Sequence, residues 1–132
     1  MKLLGLTPTL WVPNVQDAVD FYTKFLGFTC ENWDREEGWA YVERDELTLM
    51  FAVPHWIADF DDPDFTGSLY FNVDDVDGLW DTLKNLVTVE YELENMPYGM
   101  REFAIRDYFG YILQFGRECT EDELGDCDDG DP

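Results

Sequence analysis

Val15-Gln16-Asp17-Ala18-Val19-Asp20-Phe21-Tyr22-Thr23-Lys24-Phe25-Leu26-Gly27-Phe28 carries the period of an amphipathic helix followed by a stop. Val15, Ala18, Val19, Tyr22, Phe25 and Leu26 fall on one stripe at i, i+3, i+4 and i+7 spacing, the pattern of a helix laid on a sheet. Asn14 is placed to cap its start and Gly27 to end it. The stripe recurs 61 positions later as Val76, Leu79, Trp80, Leu83, Leu86 and Val87, with Asp74 or Asp75 as the cap. A stripe repeated at a fixed offset points to a duplicated unit, which governs the architecture.

The flanks of both helices repeat as well. Leu6–Val12 and Ser68–Val73 alternate as half-buried strands before each helix. Three strands follow the first helix, over 28–34, 38–44 and 47–53. Three follow the second, over 89–95, 100–106 and 111–116. Arg44-Asp45 and Arg106-Asp107 stand at corresponding hairpin turns. The expected fold is α+β: two tandem βαβββ modules forming a curled mixed sheet around a cavity. Module one covers 3–53, an Asp- and Pro-rich linker covers 54–66, and module two covers 67–117. Together they form one domain over 1–117. Residues 118–132 read as a disordered acidic tail, because a run of like charge buries too little apolar surface to fold.

Composition bounds the partners. The chain has 132 residues, 45% hydrophobic and 17% aromatic, enough for a proper core. Its formal charge is −22, and setting aside the eight acids of 118–132, where no Lys or Arg stands, leaves −14. Such a surface repels phosphate backbones and anionic membranes and attracts cations, so neither nucleic acid nor membrane is expected as a partner. No apolar run is long enough for a transmembrane helix, and Met1–Leu6 does not read as a secretory signal. Cys30, Cys119 and Cys127 form neither a disulfide framework nor a zinc motif, which leads to the expectation of a reducing, cytoplasmic setting.

Asp20-Phe21-Tyr22-Thr23-Lys24-Phe25-Leu26-Gly27-Phe28 resembles the signature closing the first helix in the vicinal oxygen chelate superfamily. That superfamily includes glyoxalase I, extradiol dioxygenases, fosfomycin-resistance enzymes and bleomycin-resistance proteins. Val42–Met50 and Pro97–Asp107, with its Pro-Tyr-Gly turn and Arg101-Glu102-Phe103-Ala104 run, are most similar to the bleomycin-resistance proteins. Here Tyr98 stands where a Trp is usual, and Met100 is an added residue after Gly99. The resemblance implies homodimers with ligand crevices at the subunit interface, often with an exchanged first strand. Pro8 fits either an exchanged or an ordinary edge strand.

Members that are enzymes hold a divalent metal through His, Gln or Glu on the first and last strand of each module. The resemblance puts those positions at Thr7, Met50, Ser68 and Gln114, only the last of which is a usual ligand. His55, the only histidine, lies in the linker. No metal or other cofactor is therefore expected, and no Ser or Cys has a His to activate it. Whether the chain is an enzyme stays open, with the ligand positions weighing against it.

Alternation from those positions lines a cavity with neutral and aromatic groups, Met50, Tyr70 and Gln114 among them. Trp33, Trp39, Tyr41 and Tyr98 add flat faces that attract cations by about 0.5–2 kcal/mol per contact. Acids such as Glu102 reinforce that capture. Trp11 and Trp80 read instead as packing. The expected function is metal-independent binding and sequestration of a small planar or cationic compound, an antibiotic-resistance role of the bleomycin type. The alternative is a lyase, isomerase or dioxygenase with a non-standard metal site. A third possibility is a protein-interaction module using the acidic surface.

Overall fold

The structure is a computed structural model that describes residues 1–54 and 62–129, with side chains assigned through Gly125. Most of the expected linker, His55 included, and residues 130–132 lie outside the described residues. The chain divides into two compact units, Met1–Asp64 and Phe65–Pro132.

The first unit runs β1 (Thr9–Trp11), α1 (Val15–Phe25), β2 (Thr29–Asp34), β3 (Trp39–Arg44) and β4 (Leu47–Ala52). Its sheet has the order β1-β4-β3-β2, with β1 parallel to β4 and the other pairs antiparallel. The second unit runs β5 (Leu69–Asn72), α2 (Val76–Leu83), β6 (Thr88–Asn95), β7 (Met100–Arg106) and β8 (Ile112–Glu118), and adds α3 (Glu121–Asp129). Its sheet order, β5-β8-β7-β6, repeats the first with the same parallel pair. Each unit is thus a βαβββ module, as the duplicated stripe requires.

The helices start where their caps dictate. Asn14 Oδ1 accepts from Asp17 N at 3.1 Å, and Asp75 Oδ1 from Gly78 N at 3.0 Å. α1 buries Val15, Ala18, Val19, Phe21 and Tyr22. Each apolar side chain so removed from water contributes about 1.5–3 kcal/mol before entropy is counted. Tyr22 meets Phe51 of β4 at 4.8 Å between ring centres, and Trp80 of α2 meets Phe103 of β7 at 5.1 Å. Trp80 is therefore a packing residue, in keeping with its place on the stripe. α2 is shorter than its stripe: it ends at Leu83, and Leu86 stays exposed.

β1 is also shorter than the Leu6–Val12 alternation suggests. Pro8 has no N–H to donate, so the ladder begins after it, although its carbonyl accepts from Met50 N at 2.9 Å. Leu3, Leu4 and Leu6 are exposed.

The larger departure from expectation is at the C-terminus, where residues 121–129 are helical instead of disordered. Thr120 and Glu123 form a capping box: Thr120 N donates to Glu123 Oε1 at 2.9 Å, and Glu123 N to Thr120 Oγ1 at 3.3 Å. Arg117 then holds Glu123 through two nitrogens, at 2.7 and 2.9 Å, and reaches Asp77 of α2 at 3.4 Å. Arg101 completes the cluster on Asp77 at 2.6 Å. Two guanidinium groups within hydrogen-bonding range supply what the acidic run lacks by itself. No helix among the described residues is long and apolar enough to cross a membrane.

Candidate functional site

Each sheet has one face against its helix and one open face, and the register assigns the residues of both. In module one, Thr9, Met50, Tyr41 and Asn32 are mutual partners along one row, and Trp11, Ala52, Trp39 and Asp34 along the next. Directly paired residues point to the same side, so both rows lie on the open face. The interleaved row of Leu10, Phe51, Ala40 and Trp33 faces the helix.

A cleft of about 360 Å³ opens on the module-one face, lined by Thr9, Trp11, Glu37, Trp39, Met50 and Ala52 among others. Trp11 is 37% exposed there and is a wall of the cleft, which corrects its reading as packing. The Trp39 ring meets that of Tyr41 edge-on at 5.5 Å. Trp33 does not join them. It lies on the opposite face, where the Arg35 guanidinium sits 3.6 Å from its ring centre.

Module two uses the equivalent rows differently. Tyr70, Gln114, Ala104 and Tyr91 form one row; Asn72, Gly116, Glu102 and Glu94 form the next. Glu102 is fully buried. Its Oε1 accepts from Tyr70 at 3.1 Å, and its Oε2 accepts a short hydrogen bond from Tyr91. The Tyr98 hydroxyl, from the turn before β7, bonds to the same carboxyl. Gln114 Nε2 donates to the Tyr91 oxygen at 2.8 Å, and its Oε1 accepts from Ser68 Oγ at 2.5 Å. Every described buried side-chain polar atom has a partner.

Burial, reinforced by the Glu102 carboxylate, pushes the Tyr91 phenol up to about 12 and raises Tyr70 and Tyr98 as well. Both causes favour the neutral phenol, so Tyr70 and Tyr91 remain donors to Glu102 at physiological pH.

Two local features make this constellation possible. A register shift between Val89 and Tyr91 places Tyr91 opposite Ala104; uninterrupted alternation from Val89, which pairs with Ile105, would turn it toward the helix. Gly116 leaves the room: a Cβ there would clash with the Tyr70 hydroxyl and come within 2.9 Å of Glu102 Cβ.

Of the eight expected site residues, Trp39, Tyr41 and Met50 share the module-one open face. Tyr70, Tyr98, Glu102 and Gln114 converge in module two, and Trp33 stands apart. Tyr91 was not anticipated, since only the register shift brings it in.

The residues at the four metal-ligand positions do not fit a divalent ion. Thr7 precedes the β1 ladder and is exposed, and Met50 offers a thioether. The oxygen of Gln114 is committed to Ser68. These groups supply no charged oxygen or imidazole, which such ions require. Among the described residues no three His, Cys, Asp or Glu groups cluster so as to hold a metal.

The sequence profile of the Glyoxalase/Bleomycin resistance protein/Dioxygenase superfamily matches residues 6–115. The fold is similar to that of the bleomycin-binding protein of bleomycin-producing Streptomyces verticillus, crystallised with copper(II)-bleomycin. Identity is 27%, covering 92% of this chain and 99% of that one, with a TM-score of 0.64. A superfamily member from Sphaerobacter thermophilus is 24% identical, over 85% and 94% of the two chains, with a TM-score of 0.72. A lactoylglutathione lyase from Agrobacterium tumefaciens is 20% identical, over 85% and 91%, with a TM-score of 0.68. Comparison with curated protein sequences gives no significant match.

Proposed function

The chain belongs to the glyoxalase/bleomycin resistance protein/dioxygenase superfamily, and on that premise we propose that it binds a small planar, cationic compound and holds it unaltered. The observation that carries this reading is the module-one cleft, walled by Trp11 and Trp39 with Glu37 on its rim. Flat indole faces stack on planar ligands and attract cations through their quadrupole. The net charge of −22 draws the same class of compound from solution. The metal-ligand positions hold residues that do not suit a Lewis-acid centre, so binding without chemistry is the economical use of the site. The 27% identity to a bleomycin-binding protein supports the same class of ligand.

The functional unit in this proposal is a homodimer in which a second copy closes over the exposed rings. Light scattering at micromolar concentration checks it, and a monomer there removes the dimer from the proposal.

The test is a titration with a bleomycin-type glycopeptide and with smaller planar cations, followed by Trp fluorescence. Quenching is expected with a dissociation constant in the micromolar range or below, and Trp11→Ala and Trp39→Ala should each weaken it about tenfold, a loss of about 1.4 kcal/mol. Mass spectrometry of the recovered compound should show it unchanged. A chemically altered ligand, or stoichiometric metal in the purified protein, would overturn sequestration in favour of catalysis.

A further inference from the structure

We infer that the module-one cleft is a slot one aromatic layer wide, with Trp11 and Trp39 as its sides and Ala52 as its floor, which selects flat fused-ring cations by their thickness. The inference deepens the binding reading above and rests on it.

The slot follows from the register. Ala52 of β4 is the direct partner of Trp11 on β1 and of Trp39 on β3. Three side chains therefore leave the open face in one line, with the smallest in the middle. Side chains in strands stand roughly perpendicular to the sheet, and neighbouring strands lie about 4.8 Å apart, which puts the roots of the two indoles about 9.5–10 Å from each other. Carbon atoms in contact stand about 3.5–4.0 Å apart. A flat ring with a neighbour on each side thus takes up about 7–8 Å, and two stacked layers about 10.5–12 Å. The spacing admits one layer and refuses two. A globular cage, with carbons on more than one level, is refused for the same reason.

The neighbouring residues fit that role. The Tyr41 ring meets that of Trp39 edge-on at 5.5 Å and braces this side of the slot. Met50, on the next row between Thr9 and Tyr41, bounds one end with a polarizable thioether, which suits contact with an aromatic edge. Glu37 is the one charged group among the described residues that line the cleft, and its sign favours a cation.

Module two shows the same place filled. There Gly116 stands where Ala52 does, and the Tyr70 hydroxyl lies so close above it that a Cβ would clash. Thr9, which holds the place of Tyr70, is too short to reach across. The space over Ala52 instead belongs to the cleft of about 360 Å³. That volume is at the lower end of small-molecule sites, about 300–1,000 Å³, and takes a compact ring system.

The probes are 4-aminoquinoline and 1-adamantanamine, which carry the same single positive charge and the same number of non-hydrogen atoms, one flat and the other a cage. Affinities are measured by calorimetry on the full chain, and intermolecular nuclear Overhauser effects locate the ligand. 4-Aminoquinoline should bind about tenfold or more tighter than 1-adamantanamine. Its ring protons should show contacts to both indoles and to the Ala52 methyl group. Ala52→Leu adds bulk to the floor on an open face, where it is mild for folding, and should weaken 4-aminoquinoline about tenfold.

Equal binding of the two probes, a bound 4-aminoquinoline without contacts to Ala52, or undiminished binding by Ala52→Leu overturns the slot while planar-ligand binding stands. Should Ala52→Leu not fold, the probe ranking and the Overhauser contacts of the native chain decide by themselves. Binding of a larger planar cation in the fluorescence titration, but of neither probe, overturns the slot alone. Binding of neither probe nor of any planar cation there overturns both.

Discussion

At register-equivalent places the two modules carry opposite chemistry. Trp39, opposite Ala52 in module one, corresponds to Glu102, opposite Gly116 in module two; Thr9 corresponds to Tyr70, and Met50 to Gln114. One open face carries a cleft walled by aromatic rings. The other is a hydrogen-bond network closed around a buried carboxyl group. The shared βαβββ frame fixes which positions lie on the open face, and leaves the residue standing there free to vary. Duplication thus supplies two platforms, of which one presents ring surfaces and the other a closed hydrogen-bond network.

The largest expected effect breaks the comparison at its centre. Glu102→Ala removes the acceptor for the Tyr70 and Tyr91 hydroxyls and should destabilise the protein by about 3 kcal/mol, because stranded polar groups keep their desolvation cost. Trp39→Ala, at the corresponding half-exposed position, should cost about 1 kcal/mol in stability while weakening the ligand about tenfold. Urea unfolding of the two variants, set beside ligand titrations, measures both sides. Equal stability losses would show that the two faces are not divided in this way.

A second experiment sharpens the contrast one residue away. Gly116→Ala drives a methyl group into the Tyr70 hydroxyl and against Glu102, and the necessary shift should cost about 1–3 kcal/mol. The reverse change in module one, Ala52→Gly, meets no such crowding. It should cost only about 0.5–1 kcal/mol through the loss of strand order. Thermal unfolding checks the pair, and hydrogen exchange on β8 should show loosening in Gly116→Ala alone.

The parts of this picture that were legible in the sequence are those carried by local period. The helix stripes, the caps at Asn14 and Asp75, and the 61-residue offset all concern residues a few positions apart, where spacing directly sets which face a side chain occupies. Tyr70 follows from alternation out of Ser68; Met50 and Gln114 follow from the family resemblance, and Trp39 from its aromatic character. Tyr91 does not, because one extra residue in β6 reverses its side, and nothing in Val89-Glu90-Tyr91 announces it. Trp33 went astray for the complementary reason: its aromatic character suggested the cleft, while strict alternation with Asn32 and Asp34 turns it to the other face. The C-terminal helix was hidden by composition. Acidity argues for disorder until Arg101 and Arg117, from two other strands, are brought beside Asp77 and Glu123.

That helix is also where the modules differ in length, and its attachment should depend on pH. The Arg117 guanidinium, with the Thr120 amide, holds the Glu123 carboxyl down to about 2 from an ordinary value of 4.5, and Arg101 lowers Asp77 in the same direction. A carboxyl group depressed in the folded state stabilises that state above its unfolded value, and the contribution is lost as pH falls toward the folded value. The α3 contacts should therefore be intact above about pH 4.5 and weaken progressively toward pH 2, with module one unaffected by this pair. The effect is small, since the ions lie near solvent and are screened by salt. Amide resonances of Thr120–Gly125 followed through acid titration should move together with the Arg117 side-chain signals, and Glu123→Gln should abolish the shared transition. If the helix signals are instead unchanged down to pH 2, or titrate identically in Glu123→Gln, the capping box and apolar contacts hold α3, and the added helix owes nothing to the two arginines.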